Sequence, residues 1–308
     1  MTGAEILASR GITAEPATAA STSRFPDEAH FRIEIPSVEG PAVLRAVIAA
    51  AGPAGLTVNR VSQGSGAMLL SAAELAEMAR IGADNGLEVS LFVGPREEWD
   101  TGRSAGAADG QTFAGRLRGT RQLRYALDDV LRAVEQGIRG FLIADTGLLQ
   151  LVAEMQAAGQ LPVSVVWKIS AVLAPSNPVS LCQLEQLGGT TINVPSDITI
   201  GQLAEMRAAT PVPIDLYVET PDAMGGVVRG HEIADLVAVA APMYAKFGLR
   251  NSRPLYPSGV HLADDAAAIA REKVHRAAVA LEWLQRSGLQ LTQSAPGAKG
   301  LGIPEPQS

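Results

Sequence analysis

Two lysines in this sequence are set among residues that would strip water from an amine. Lys168 lies within Val165-Val166-Trp167-Lys168-Ile169-Ser170 and Lys246 within Tyr244-Ala245-Lys246-Phe247-Gly248. A buried ammonium is costly, so each lysine must either pair with a carboxylate or lose its proton and become a base or nucleophile. The structural reading is a salt bridge in a protein interior. The functional reading is substrate-carboxylate binding, proton transfer or a Schiff base.

Glu34, Asp145 and Glu219 each follow or end a short apolar run. Three such carboxylates could act as acid–base groups or as hard oxygen ligands for Mg²⁺ or Mn²⁺, with Asp145 and Glu219 the metal candidates. Their structural reading is ion pairing with Lys168, Lys246 or an arginine. Later loops carry Asp222-Ala223-Met224-Gly225-Gly226 with Arg229, then Gly248-Leu249-Arg250-Asn251-Ser252-Arg253. Glycine lets backbone amides approach an anion and arginine binds one in bidentate fashion, so Arg229, Arg250 and Arg253 point to an anionic small molecule. Gln63 and Asn193 are the polar substrate-binding candidates beside them, and His231 and His261 are further acid–base candidates.

These residues share a position relative to the elements around them. Short apolar, β-branched runs are expected as strands at 31–36, 57–62, 88–93, 140–145, 164–170, 190–194, 214–219 and 243–247, and helical patterns separate them. Ser71 with Glu74 and Thr199 with Gln202 have capping-box spacing, and Asn177-Pro178 reads as an N-cap followed by proline at the first helical position. Eight strand–helix units close a parallel barrel, so the expected fold is a single (β/α)₈ barrel over residues 30–293. Barrel active sites lie beyond the C-terminal ends of the strands, where Glu34, Gln63, Asp145, Asn193, Glu219 and Lys246 fall. Strands one, seven and eight are neighbours in a closed barrel, which groups Glu34, Glu219 and Lys246. Parallel strands are expected to be apolar on both faces, so strand parity leaves the direction of Lys168 open.

Between 95 and 119 a Gly/Ala/Arg-rich insertion carries Trp99, Asp100, Arg103, Gln111, Phe113 and Arg116. A connection of that length is expected to be a lid or a disordered loop. Residues 1–29 and 294–308 show no sustained period and read as an N-terminal arm and a disordered C-terminal tail.

Composition excludes several partners. The chain has 308 residues and a formal charge of −7 without a Lys/Arg block, which argues against nucleic acid and anionic membranes and for small molecules. No stretch of about 20 apolar residues suggests a membrane span, and no leader pattern is visible at the N-terminus, so a cytoplasmic protein is expected. A lone cysteine, Cys182, excludes a disulfide framework, a cysteine-based zinc site or an iron–sulfur cluster held by one chain. Alanine-rich helix faces permit a homo-oligomer.

Ile214-Asp215-Leu216-Tyr217-Val218-Glu219 through Ala223-Met224-Gly225-Gly226, together with Thr191-Ile192-Asn193-Val194-Pro195-Ser196, resembles the barrel of peptidase family U32. The resemblance extends diffusely over residues 58–247, and Glu219 is the position that matches the family's strand-ending glutamate. It implies a barrel fold and, as an activity, hydrolysis of an amide or peptide bond. Family members continue into a His-Gly-Ala stretch and a cysteine-rich segment, whereas this chain has Thr220-Pro221-Asp222 and no cysteine there. It therefore resembles a divergent member without the cysteine cluster.

Three functions stand at this point. One is a lyase or isomerase that moves a proton on a small carboxylate, with Glu219 or Lys246 as the proton-moving group and Arg229, Arg250 or Lys168 holding the anion. The second is a U32-like hydrolase, and the third a barrel that binds a metabolite or partner without catalysis.

Overall fold

In a computed structural model, residues 3–11, 18–97, 99–100, 102, 107 and 115–307 are described. Eight parallel strands close into a barrel in chain order, β1 next to β8: β1 (Phe31–Pro36), β2 (Arg60–Gln63), β3 (Glu88–Phe92), β4 (Gly140–Ile143), β5 (Val166–Ile169), β6 (Thr191–Asn193), β7 (Ile214–Glu219) and β8 (Met243–Phe247). Helices alternate with them: α2 (Pro41–Ala51), α3 (Ala72–Asp84), α4 (Gly119–Glu135), α5 (Thr146–Ala157), α6 (Pro178–Gln186), α7 (Ile200–Ala209), α8 (Ile233–Ala240) and α9 (Ala263–Arg286), after a short α1 (Gly3–Ser9). This is a (β/α)₈ barrel.

Capping explains several of the helix starts. Ser71 and Glu74 form a complete capping box at α3, Thr199 and Gln202 another at α7, and Asn177 caps α6 ahead of Pro178. Each satisfies amides that the first helical turn leaves unpaired. At the other end of the units, Gly86 and Gly137 take positive φ values of 57° and 92°, where a side chain would be strained.

Successive residues along the strands alternate in chemistry as well as in side-chain direction. Ile33, Ile35, Val61, Val89, Leu91, Phe141, Trp167, Ile169, Ile214, Leu216 and Val218 are buried in the main apolar core, which lies between strands and helices. Trp167 shows the outward sense: its indole donates to Gln156 of α5 at 2.7 Å. The intervening residues face the barrel axis, since successive side chains on a strand point to opposite faces. Many of these are charged or polar: Arg32, Glu34, Arg60, Glu88, Lys168, Thr191, Asn193, Asp215, Tyr217, Tyr244 and Lys246. The expectation of strands apolar on both faces is thus corrected, and parity does turn Lys168 inward.

Residues 294–307, expected as a disordered tail, run beneath the N-terminal ends of the strands. Ser294 donates its amide to Phe31 and accepts from Arg32, Gly297 donates to the Gly86 carbonyl, and Glu305 bridges to Arg139 at 2.9 Å. The segment has no periodicity because backbone hydrogen bonds and single side-chain anchors hold it, rather than a repeating apolar face. Part of the N-terminal arm packs at the same end, where Phe25 is buried edge-on against Tyr244 with ring centroids 5.5 Å apart. The 95–119 insertion is described at its two feet, which meet where the Glu97 amide donates to Arg116. Arg103, Gln111 and Phe113 lie outside the described residues, and with them most of the expected lid. No helix among the described residues is long and apolar enough to cross a membrane.

Candidate active site

The axis of the barrel holds a connected charge network. At its lower level Arg60 meets three carboxylates: Glu88 at 2.6 Å, Asp215 at 3.2 Å and Glu34 at 3.4 Å. Its guanidinium also lies 3.5 Å from the centroid of the Tyr244 ring. Thr191 donates to Asp215 at 3.0 Å, and the amide of Gly302, from the C-terminal segment, donates to Glu88 at 3.0 Å. A fully buried arginine surrounded by carboxylates stays charged.

Above it lies the level of the lysines. Lys168 of β5 donates to Glu34 of β1 and stands 3.7 Å from Asp215. Lys246 of β8 donates to the Asn193 amide oxygen at 2.6 Å, stands 3.7 Å from Glu34 and lies 3.9 Å from the centroid of the Tyr217 ring. Ser62 completes the group by donating to Glu34 at 2.7 Å. Glu34, Lys168 and Lys246 are almost wholly removed from solvent, and Asn193 is held by a second bond to the Ile169 carbonyl.

Electrostatics separate the two sides of the pair. Burial alone would raise the Glu34 carboxyl, but Lys168, Lys246 and Arg60 together hold it well below the usual carboxylate range. Burial dominates at Lys168 and, with the like charges of Lys246 and Arg60, brings its amine down to about 7 against the pull of Glu34 and Asp215. Near neutrality Lys168 therefore exists in part as a free amine beside a fixed carboxylate. Tyr217 is pushed well up by burial and by Glu34 and Asp215, so its phenol keeps its proton.

Of the residues expected at the site, Glu34, Lys168, Lys246 and Asn193 are brought together. Glu219 is not. A register irregularity between Tyr217 and Glu219 shifts the end of β7, and the Glu219 carboxylate accepts from the Arg250 amide at 3.0 Å, with Arg276 of α9 4.0 Å from its other oxygen. Among the described residues it makes no ion pair with either lysine. Asp145 caps α5, one oxygen accepting from Leu148 at 2.9 Å and the other from Leu117 at 3.0 Å, so its lone pairs serve the backbone. Asp145 and Glu219 are not joined by further ligands: among the described residues no three His, Cys, Asp or Glu side chains cluster closely enough to hold a metal ion.

The anion-binding expectations divide similarly. Arg229 is consumed by Glu232 at 2.8 Å and by the carbonyls of Ser196 and Ile198 at 3.2 and 2.7 Å, which tie two loops together. Arg250 is exposed near Asp222, and Arg253 is exposed and paired with Asp265 at 2.9 Å. Gln63 uses both ends of its amide on the backbone of Gly66, closing its own loop. His231 is exposed near Glu232, away from the lysines.

Loops after β2, β3 and β8 meet above the lysine level. Tyr256 lies against Gly64 and donates to Ser37 at 2.6 Å, Ser258 donates its amide to Ser65 at 2.8 Å, and Arg96 donates to the Gly64 carbonyl while stacking 3.7 Å from the Phe92 ring. An open groove of about 350 Å³ exists elsewhere, between Ala76, Glu77, Arg80, Gln136, Pro306 and Gln307, but it lies at the lower end and contains none of the network.

Sequence reasoning missed Arg60, Asp215, Tyr217 and Thr191. Their signal was the alternation Ile-Asp-Leu-Tyr-Val in β7 and the lone arginine opening β2, both readable as inward-facing polar residues.

No family model matches the sequence, and no curated protein is significantly similar to it. Several solved structures are similar to it at low identity. A U32 peptidase is 18% identical over 67% of this chain and 73% of its own, with a TM-score of 0.41. A thiamine phosphate pyrophosphorylase from Pyrococcus furiosus is 8% identical over 83% and 98%, with a TM-score of 0.45. Oxaloacetate acetylhydrolase is 12% identical over 70% and 75%, with a TM-score of 0.42. At these identities the likeness extends to the barrel fold alone.

Proposed function

We propose that this barrel is an enzyme that moves a proton on a small carboxylate-bearing metabolite, as a lyase or isomerase, with Lys168 as the base. The observation that carries the reading is the Lys168 amine, inward-facing and lowered to about 7 beside a carboxylate that stays ionised. A base poised near the working pH transfers protons most effectively. In its neutral form Lys168 takes the proton from the carbon next to a carboxylate or carbonyl. The electron pair left behind spreads onto oxygen as an enolate, stabilised by the Lys246 ammonium that Asn193 orients. Return of the proton at the neighbouring carbon is isomerisation, and expulsion of a β-substituent is elimination.

The U32-like hydrolase reading would place Glu219 at the reacting bond. Glu219 instead holds the Arg250 amide, so the lysine network supports proton transfer better.

The test is deuterium incorporation from D₂O into a panel of small 2-oxo and 2-hydroxy acids, followed by proton NMR. The wild-type chain should exchange at least one α or β proton, and Lys168→Met should lose the exchange by 10²-fold or more while remaining folded. Full exchange in Lys168→Met would remove Lys168 from the reaction. Tight binding without exchange in the wild-type chain would instead support a non-catalytic binding barrel.

A further inference from the structure

Lys168 and Lys246 retain 0% and 2% exposure, so a reagent that reaches either amine must first pass the loops above. Those loops form a roof with two sides of unequal strength. On the β2 side the Glu39 carboxylate accepts from the Gly64 and Ser65 amides at 2.9 and 3.1 Å, Gln63 closes on Gly66, and Arg96 donates to the Gly64 carbonyl. Glu39 is itself buried, so these bonds are shielded from competing water.

The side made by the loop between β8 and α9 is tied down far less. Its first residues are anchored, the Arg250 amide by Glu219 at 3.0 Å and the Asn251 amide by Asp222 at 2.5 Å, and Leu255 is buried in the main core. Past Leu255, two hydrogen bonds hold the tip of the loop to the mouth: the Tyr256 hydroxyl donates to Ser37 at 2.6 Å and the Ser258 amide to the Ser65 hydroxyl at 2.8 Å. Among the described residues no backbone-to-backbone hydrogen bond involves residues 252–258. Tyr256 keeps 47% exposure, so the outer side of its ring meets solvent rather than a packed layer.

The inner side of that ring does the covering. A Cβ at Gly64 would collide with the Tyr256 ring, which therefore lies flush on the Gly64 backbone. Burial, with the nearby Glu39 and Tyr217, pushes the Tyr256 phenol well up. Tyr217 in turn lies over Lys246, so Tyr256, Tyr217 and Lys246 follow one another from the mouth towards the axis.

We propose that residues 256–258 are the gate of the barrel mouth: Tyr256 swings away from Gly64 about the Leu255 anchor and opens the way to Lys246 and Lys168. The contacts that must break are two neutral hydrogen bonds and one ring contact, so opening is a local event that leaves the charge network intact. What the gate admits rests on the proton-transfer reading, whereas the motion does not.

The test is carbamylation by cyanate, which modifies a neutral amine that the reagent can reach. Lys273, buried on the outer helix α9 and donating to the Pro36 carbonyl, reports general loosening of the fold. Peptide mapping of the full chain should show Lys168 and Lys246 labelled about tenfold faster relative to Lys273 in Gly64→Ala, whose methyl displaces the ring and breaks the Tyr256 bond. Tyr256→Ala should give the same result, and serves if the Gly64 variant misfolds. Ser65→Cys combined with Ser258→Cys, once oxidised to a disulfide, should label both lysines about tenfold more slowly than its reduced form. Unchanged rates in both opening variants, a rise matched by Lys273, or a crosslinked chain that labels as fast as the reduced one would overturn the inference. The exchange test with Lys168→Met reads the reaction and not these rates, so the two readings fail separately.

Discussion

The lower and upper levels of the barrel interior are both built from buried charges yet differ in how those charges are balanced. Below, Arg60 is encircled by Glu88, Asp215 and Glu34, and the C-terminal segment adds the Gly302 amide to Glu88. Above, Lys168 and Lys246 share Glu34, and Lys246 otherwise leans on the neutral Asn193 and Tyr217. A buried charge surrounded by opposite charges is pinned in one protonation state, whereas two cations around one carboxylate compete for it. The lower level is therefore scaffold, and the upper level is where a proton can leave at modest cost.

The largest expected effect comes from breaking the scaffold. Arg60→Met leaves three buried carboxylates without their common cation and should lower unfolding stability by about 3–5 kcal/mol or prevent folding, as read by denaturant titration. A loss below about 1 kcal/mol would mean that the two levels do not differ as described.

Next in size is a pH effect that belongs to the upper level. The folded chain holds Lys168 near 7, whereas the unfolded chain holds it near 10.5, so across that window the unfolded state binds more protons and stability rises with pH. Below pH 7 both states are protonated and the penalty is constant. The stability of wild type relative to Lys168→Met should therefore climb from pH 7 to pH 10, by up to about 1.4 kcal/mol per pH unit. A flat difference would show that Lys168 is as pinned as Arg60. Glu34 acts in the opposite direction: its contribution is present above the ordinary glutamate value and fades as acid approaches its lowered one.

Gly302→Val probes the floor. A Cβ at Gly302 would lie 2.8 Å from the Arg139 carbonyl oxygen and 3.1 Å from Val166, so the segment must shift and its amide must leave Glu88. Thermal unfolding should show a loss of about 1–3 kcal/mol. The smallest effect is expected at Arg253→Ala, an exposed pair with Asp265, which should change stability by no more than about 0.5 kcal/mol and leave turnover unchanged.

The strands and the barrel were legible because apolar runs, caps and glycine stops recur in phase. Strands one, three, seven and eight keep the limits expected from sequence to within a residue. The site was half legible. Lys168 and Lys246 stood out as charges in apolar runs, but Glu219 was grouped with Lys246 and Glu34 because strands one, seven and eight are neighbours, and the irregularity after Tyr217 sets it apart from them. Asp145 looked like a ligand because a cap and a strand-end carboxylate share the same sequence position.

The floor made by residues 294–307 also sets an order of events during synthesis. Glu88 is translated some two hundred residues before Gly302, the amide that completes its shell, so the barrel interior stays open to water until the chain has passed well beyond its last strand. Contacts of such long sequence separation form late, after most of the loop-closure entropy has been spent. A nascent chain can therefore assemble its strands and helices while Glu88 is still hydrated, and the loss of that water becomes one of the closing steps of folding.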